Sequence, residues 1–119
     1  MMISFDSVPV YLACGPTDLR KQINGLCTKV SADFEMDPFD SALFVFCNRN
    51  KNRLKVLLFD GDGFMMITKR LEKGRFRWPS KIEDEDTMAL DVSELYALLS
   101  STRIERRIRR DEVTERAAW

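Results

Sequence analysis

The sequence contains no histidine. That removes the usual general base near neutral pH and the commonest zinc ligand, so an enzyme built on this chain would have to work with carboxylates, lysines or a hard metal. Cysteine is scarce: Cys14, Cys27 and Cys47 are odd in number, widely spaced and set among apolar residues. Such spacing suggests neither a disulfide framework nor a CxxC metal pair, and buried thiols are the reading. No apolar run approaches the roughly 18 to 20 residues that cross a bilayer. The start MMISFDSVPV has neither the basic leader nor the apolar core of a signal peptide, so a cytoplasmic location and no membrane partner are expected. No internal repeat or low-complexity segment is visible.

What is present is a mixture of 45% hydrophobic and 32% charged residues, the composition of a folded chain rather than a disordered one. A chain of 119 residues suits a single core. One domain is expected over residues 1–100, followed by an arginine-rich C-terminal helix or tail over residues 101–119. The zero net charge conceals segregation. Residues 49–81 hold ten basic and three acidic side chains, and residues 82–99 hold six acids and no base. A concentrated basic stretch with an internal acidic counterweight points towards a polyanionic partner.

Periodicity divides the chain further. Val8, Val10 and Leu12 alternate as in a short strand, which Pro9 limits to an edge or a strand start. After Gly15 and Pro16, the apolar residues Leu19, Ile23, Leu26, Cys27 and Val30 recur at helical spacing opposite Arg20, Lys21, Asn24 and Thr28. This predicts an amphipathic helix entered at Thr17, with Asp18 at the positive end of its dipole. Gly25 inside that helix predicts close packing.

Ala42 to Cys47 is a continuous apolar run of strand length, read as a buried strand. Arg53 to Asp60 and Phe64 to Leu71 flank glycines and aspartates as the arms of a hairpin. One face of it carries Leu54, Val56, Leu58, Met65 and Ile67, and the other carries Arg53, Lys55, Leu57, Phe59, Phe64, Met66, Thr68 and Arg70. Arg75 to Trp78 is expected as a further short strand and Thr87 to Leu90 as a last one. Asp91 and Glu94 resemble a capping box opening a helix with Val92, Leu95, Tyr96, Leu98 and Leu99 buried. The pattern predicts an α+β fold: an antiparallel β-meander with an N-terminal amphipathic helix and a C-terminal helix packed on one face. Leu54, Val56 and Leu58 are then expected to share a layer with Leu19, Ile23 and Leu26.

Five segments in order carry a resemblance: TDLRK at 17–21, DPF at 37–39, LFVF at 43–46, LKVLLFDGDGF at 54–64 and KRLEKGRFRWP at 69–79. Together they resemble the TnpB accessory proteins encoded by the second open reading frame of insertion sequence family sixty-six, which are distinct from the RNA-guided nucleases of the same name. The resemblance covers Phe5 to Leu99 and leaves the arginine-rich end outside. It implies a protein needed for efficient transposition of a mobile element whose DNA-cutting transposase is a separate chain. It implies no catalytic residue, cofactor or small-molecule substrate.

Transposon DNA and that transposase are the expected partners. A DNA-binding surface would draw on Arg49, Lys51, Arg53, Lys55, Lys69, Arg70, Lys73, Arg75 and Arg77, with Arg106, Arg107 and Arg110 from the tail, through sequence-independent phosphate contacts. The plain alternative is a solvated sheet face. Phe76 and Trp78 alternate with arginines in a way that would suit base stacking, although alternation more simply turns them into the core. An adaptor that docks on the transposase would use Arg20 and Lys21 together with the apolar Leu57, Phe59, Phe64 and Met66. Asp60, Asp62 and Glu72 are the carboxylates of a metal-nuclease reading, weakened by Gly74 where the usual arrangement wants a lysine; as turn-forming residues the aspartates need no such role.

Overall fold

The computed structural model describes residues 8–82 and 85–100. The apolar runs form β1 (Val10–Ala13), β2 (Leu43–Cys47), β3 (Arg53–Phe59), β4 (Phe64–Arg70) and β5 (Thr87–Leu90), and the helical periods form α1 (Ile23–Asp33) and α2 (Val92–Leu99). The strands make one sheet in the order β4-β3-β2-β1-β5. The β2–β3 and β3–β4 pairs are antiparallel, as is β1–β5, whereas β1 and β2 run parallel. The α+β class expected from sequence is therefore the class observed. The meander is confined to β2, β3 and β4, because the chain crosses from β1 to its parallel neighbour through α1, and a parallel pair needs such a crossover. Pro9 lies just before β1, and its carbonyl accepts a hydrogen bond from the Leu43 amide at 2.9 Å.

The sheet has a core on each face. On one, Val10, Leu12, Val45, Leu54, Val56 and Leu58 pack with Leu95 of α2 and with Phe76 and Trp78. On the other, Ala13, Phe44, Phe46 and Leu57 pack with Leu26 and Val30 of α1 and with Phe34. The expectation that both helices cover one face is thus corrected. So is the pairing of Leu54, Val56 and Leu58 with Leu19, Ile23 and Leu26: these three strand residues are buried, but under α2, and it is Leu57 that faces α1. Strand β2 is buried along its whole length because both of its faces are covered, which accounts for its unbroken apolar run.

Three local expectations also change. Helix α1 begins at Ile23 with Gln22 as N-cap, because the Thr17 amide is bonded to the Cys47 carbonyl at 2.7 Å, tying the preceding segment to the end of β2. Residues 75–78 form no strand; their alternation instead sends Phe76 and Trp78 into the α2-side core. Tyr96 is exposed while Leu95, Leu98 and Leu99 meet the sheet side of α2. The capping box is present: the Asp91 carboxylate accepts from the Glu94 amide at 2.7 Å and the Glu94 carboxylate from the Asp91 amide at 3.0 Å. At Gly25 an added Cβ would lie 3.1 Å from the Cβ of Lys21, an exposed residue four positions earlier, so the tight contact is local to the start of the helix and not a packing contact with another element.

Candidate nucleic-acid interface

The topology collects charge at one end of the sheet. The C-terminal ends of β1, β2 and β4 and the N-terminal end of β3 lie together, so the loops at 14–22 and 48–52 and the segment after Arg70 meet there. An open groove of about 580 Å³ at this end is lined by Asp18, Arg20, Asn48, Arg49, Asn50, Arg53, Lys55 and Thr68, with the buried Thr17 beneath.

The groove is held rigid by its polar residues. The Asn48 side-chain oxygen accepts from the amides of Asn52 and Arg53, both at 3.0 Å, and its side-chain nitrogen donates to Asn52 at 2.7 Å. That clamp fixes the turn from which Arg49 and Asn50 project, and Lys51 completes the turn in the left-handed region. Lys55 Nζ donates to the Leu19 carbonyl at 2.7 Å, bridging β3 to the 14–22 loop. Arg20 holds Asp18 through its amide, Nε and a terminal nitrogen at 2.9–3.0 Å. These hydrogen bonds from Arg20 pull the Asp18 carboxyl down to about 2, so it is ionised at neutral pH and already matched by its neighbour. No carboxylate among the described residues pairs with Arg49 or Arg53.

The basic residues named from sequence divide between the faces. Arg53, Lys55 and Arg70 share the α1 side of the hairpin, where Arg53 stands directly opposite Arg70, an arrangement that disfavours pairing unless a counter-charge is near. Arg70 has one in Glu72, at 2.8 Å. Lys69 points to the α2 side, where its Nζ donates to the Leu99 carbonyl at 2.8 Å. Lys51, Lys73, Arg75 and Arg77 are exposed at the same end of the sheet, brought there by the Phe76 amide bonding to the Lys51 carbonyl at 2.7 Å. Phe76 and Trp78 are buried, which removes them as stacking platforms. Arg106, Arg107 and Arg110 lie outside the described residues, as does the assignment of residues 101–119 as a tail. Arg20 and Lys21 belong to the loop before α1 rather than to the helix.

The apolar set expected to need a partner is partly accounted for within the chain. Leu57 is fully buried, and Met66 and Phe64 pack against the α1-side core. Phe59 and Phe64 meet a ring that sequence reasoning passed over, Phe39, with the three centroids 5.0–5.1 Å apart. The signal was available in the DPF segment, but its placement depends on a contact between distant loops.

The carboxylates of the nuclease reading do not converge. Asp60 and Asp62 occupy the β3–β4 turn, while Glu72 follows the other end of β4, about 20 Å away for a seven-residue strand at the usual rise. Asp60 and Asp62 hydrogen-bond to each other, which lowers the former carboxyl and raises the latter. No three acidic or cysteine side chains among the described residues form a metal-holding group. The thiols are free, and burial pushes Cys47 up to about 11. No helix among the described residues is long and apolar enough to cross a membrane.

Comparison with known proteins agrees with the segments that carried the resemblance. Two proteins of Sinorhizobium fredii are similar. Uncharacterized protein y4hO is 39% identical over 100 residues, covering 84% of this chain and 85% of its own, and uncharacterized protein y4jC is 33% identical over 99 residues, covering 82% and 85%. No solved structure matches. The family model described as IS66 Orf2 like protein matches residues 8–109, ten residues beyond the Leu99 limit read from the motifs. The chain therefore belongs to the IS66 Orf2-like family of insertion-sequence accessory proteins.

Proposed function

We propose that this chain supports transposition of its element as a non-catalytic accessory factor that holds DNA by the phosphate backbone at the basic end of its sheet. The observation that carries the reading is the groove in which Arg49, Arg53 and Lys55 converge while its one carboxylate, Asp18, is already held by Arg20. Guanidinium groups offer paired donors in a planar fork that suits phosphate oxygens. Preset loop geometry lowers the ordering cost of such contacts. Phe76 and Trp78, the aromatic residues interleaved with the arginines, are buried and so do not offer their rings to unstacked bases, which favours a duplex backbone over stacked single-stranded bases. Transposon DNA is the ligand implied, with the element's separate transposase acting on the same DNA, and no cofactor is called for.

The test is the salt dependence of binding to plain duplex. Changing Arg49 and Arg53 together to Gln should weaken binding to all sequences alike and reduce the slope of log affinity against log salt by about two. An unchanged slope would reduce the groove to a solvated surface.

A further inference from the structure

The end of the sheet opposite the groove has the reverse character. Residues 34–42 and 57–66 contain Glu35, Asp37, Asp40, Asp60 and Asp62 and no lysine or arginine. Between these loops lies the Phe39–Phe59–Phe64 cluster. Isolated exposed apolar side chains are ordinary on soluble proteins and need no explanation. Phe39 is different in being 59% exposed as the outermost of three contacting rings, on a loop that holds it outward. The Asp37 carboxylate accepts from the Phe39 amide at 2.9 Å, and the Asp37 carbonyl from the Asp40 amide at 3.0 Å. Pro38 is buried beneath. An aromatic face fixed in place, with carboxylates on both bordering loops and no base among them, is complementary to an apolar anchor flanked by positive charge.

We propose that this aromatic and acidic end docks a protein segment in which an apolar anchor residue is flanked by lysines or arginines. The anchor seats on the edges and faces of Phe39, Phe59 and Phe64, and Asp40 and Asp62 take the flanking cations. Cations themselves pack favourably over aromatic faces, so one short basic segment engages both features. Because β3 separates this end from the groove by its seven residues, about 20 Å, both ends can be occupied together. The chain would then hold a basic protein on one side and a polyanion on the other, and the acidic border would keep DNA away from the protein site.

The proposal is tested with the full chain and a random peptide library displayed on phage, selected on the wild-type protein and counter-selected on Phe39→Ser. The expected result is enrichment of peptides with an aromatic or aliphatic residue between Lys or Arg. As synthetic peptides these should bind Phe39→Ser at least tenfold more weakly. A second variant, Asp40→Lys with Asp62→Lys, leaves the rings intact and should weaken the same peptides comparably, which preserves the test if Phe39→Ser fails to fold. Duplex binding by either variant should not fall, so failure here is distinguishable from failure of the DNA reading. No enrichment, enrichment of acidic or uncharged peptides, or affinities indifferent to both variants would overturn the proposal. So would self-association abolished by Phe39→Ser, since the occupant would then be a second copy of the chain.

Discussion

Trp78 Nε1 donates a buried hydrogen bond of 2.8 Å to the Ala13 carbonyl, 65 residues earlier in the chain. This bond stitches the segment following the hairpin across the end of β1. Together with the Phe76 amide to Lys51 and the Gly15 amide to Pro79 carbonyl, it closes the α2-side core where the basic loops emerge. Changing Trp78 to Phe retains most of the apolar volume but leaves the carbonyl without this donor, a loss of about 1 to 3 kcal/mol. Changing it to Ala adds a cavity and should cost about 3 to 5 kcal/mol. Urea unfolding would measure both, and equal losses would mean that the indole contributes only its hydrogen bond.

The two cores give a prediction that separates the observed layering from the one expected from sequence. Leu57→Ala and Leu54→Ala should each destabilise by about 2 to 5 kcal/mol, since both side chains are buried and leave cavities. In double-mutant cycles, Leu57 should couple to Leu26, which shares its core, and Leu54 to Leu95. Leu57 with Leu95 should be additive within about 0.5 kcal/mol. Coupling between Leu54 and Leu26 of the size expected for neighbours would restore a single shared layer.

Strand positions were legible because a period of two assigns residues to opposite faces without further information. The pairs Val56 with Ile67 and Leu58 with Met65 are those the alternation places together, and the turn centres on Gly61 and Asp62, with the Asp60 amide bonded to the Gly63 carbonyl. Alternation cannot say which helix covers which face. That depends on the crossover between β1 and β2, a long-range choice that Leu19 and Ile23 do not encode locally. The start of α1 was misplaced for a related reason: Leu19 fits the helical stripe and packs on the same core, but the tie from Thr17 to Cys47 keeps residues 17–21 in a loop. The basic end was visible as a charge concentration, and alternation already set Arg53, Lys55 and Arg70 on one face, as the register has them; the bonds that occupy Lys69, to the Leu99 carbonyl, and Arg70, to Glu72, left no trace in the pattern. The Phe39 cluster required two loops to meet and left no periodic trace.

The capping box of α2 predicts a pH dependence. The Glu94 amide, followed by the Ser93 hydroxyl, lowers the Asp91 carboxyl below its ordinary value of 3.8. A carboxyl depressed in the folded state binds protons more readily when unfolded, so its stabilisation is present above the unfolded value, about 3.9. It is lost as the pH falls through the lower folded value. Asp91→Ala should lower stability at pH 7, because the Glu94 amide loses its cap. The difference between wild type and variant should shrink as the pH falls below about 4. Thermal unfolding of both proteins from pH 7 to pH 2.5 would test this, and a gap that widened with acid would contradict the sign.

Lys69 and Arg53 provide the closing contrast, because they are neighbouring basic residues on opposite faces of one hairpin. Lys69 bonds the Leu99 carbonyl in the last turn of α2, where a cation opposes the negative end of the helix dipole; Arg53 lines the groove with no carboxylate partner among the described residues. Lys69→Gln should therefore lower stability by about 0.5 kcal/mol and change the salt slope of duplex binding little. Arg53→Gln should leave stability unchanged or raise it slightly, because it relieves the like-charge pairing with Arg70, and should reduce the salt slope by about one. Urea midpoints and binding isotherms from 50 to 300 mM salt, roughly the range over which counterion release is steep, would read both effects. If the two substitutions lowered the slope equally, the positive field of the whole hairpin, rather than the groove on its α1 side, would be what DNA meets.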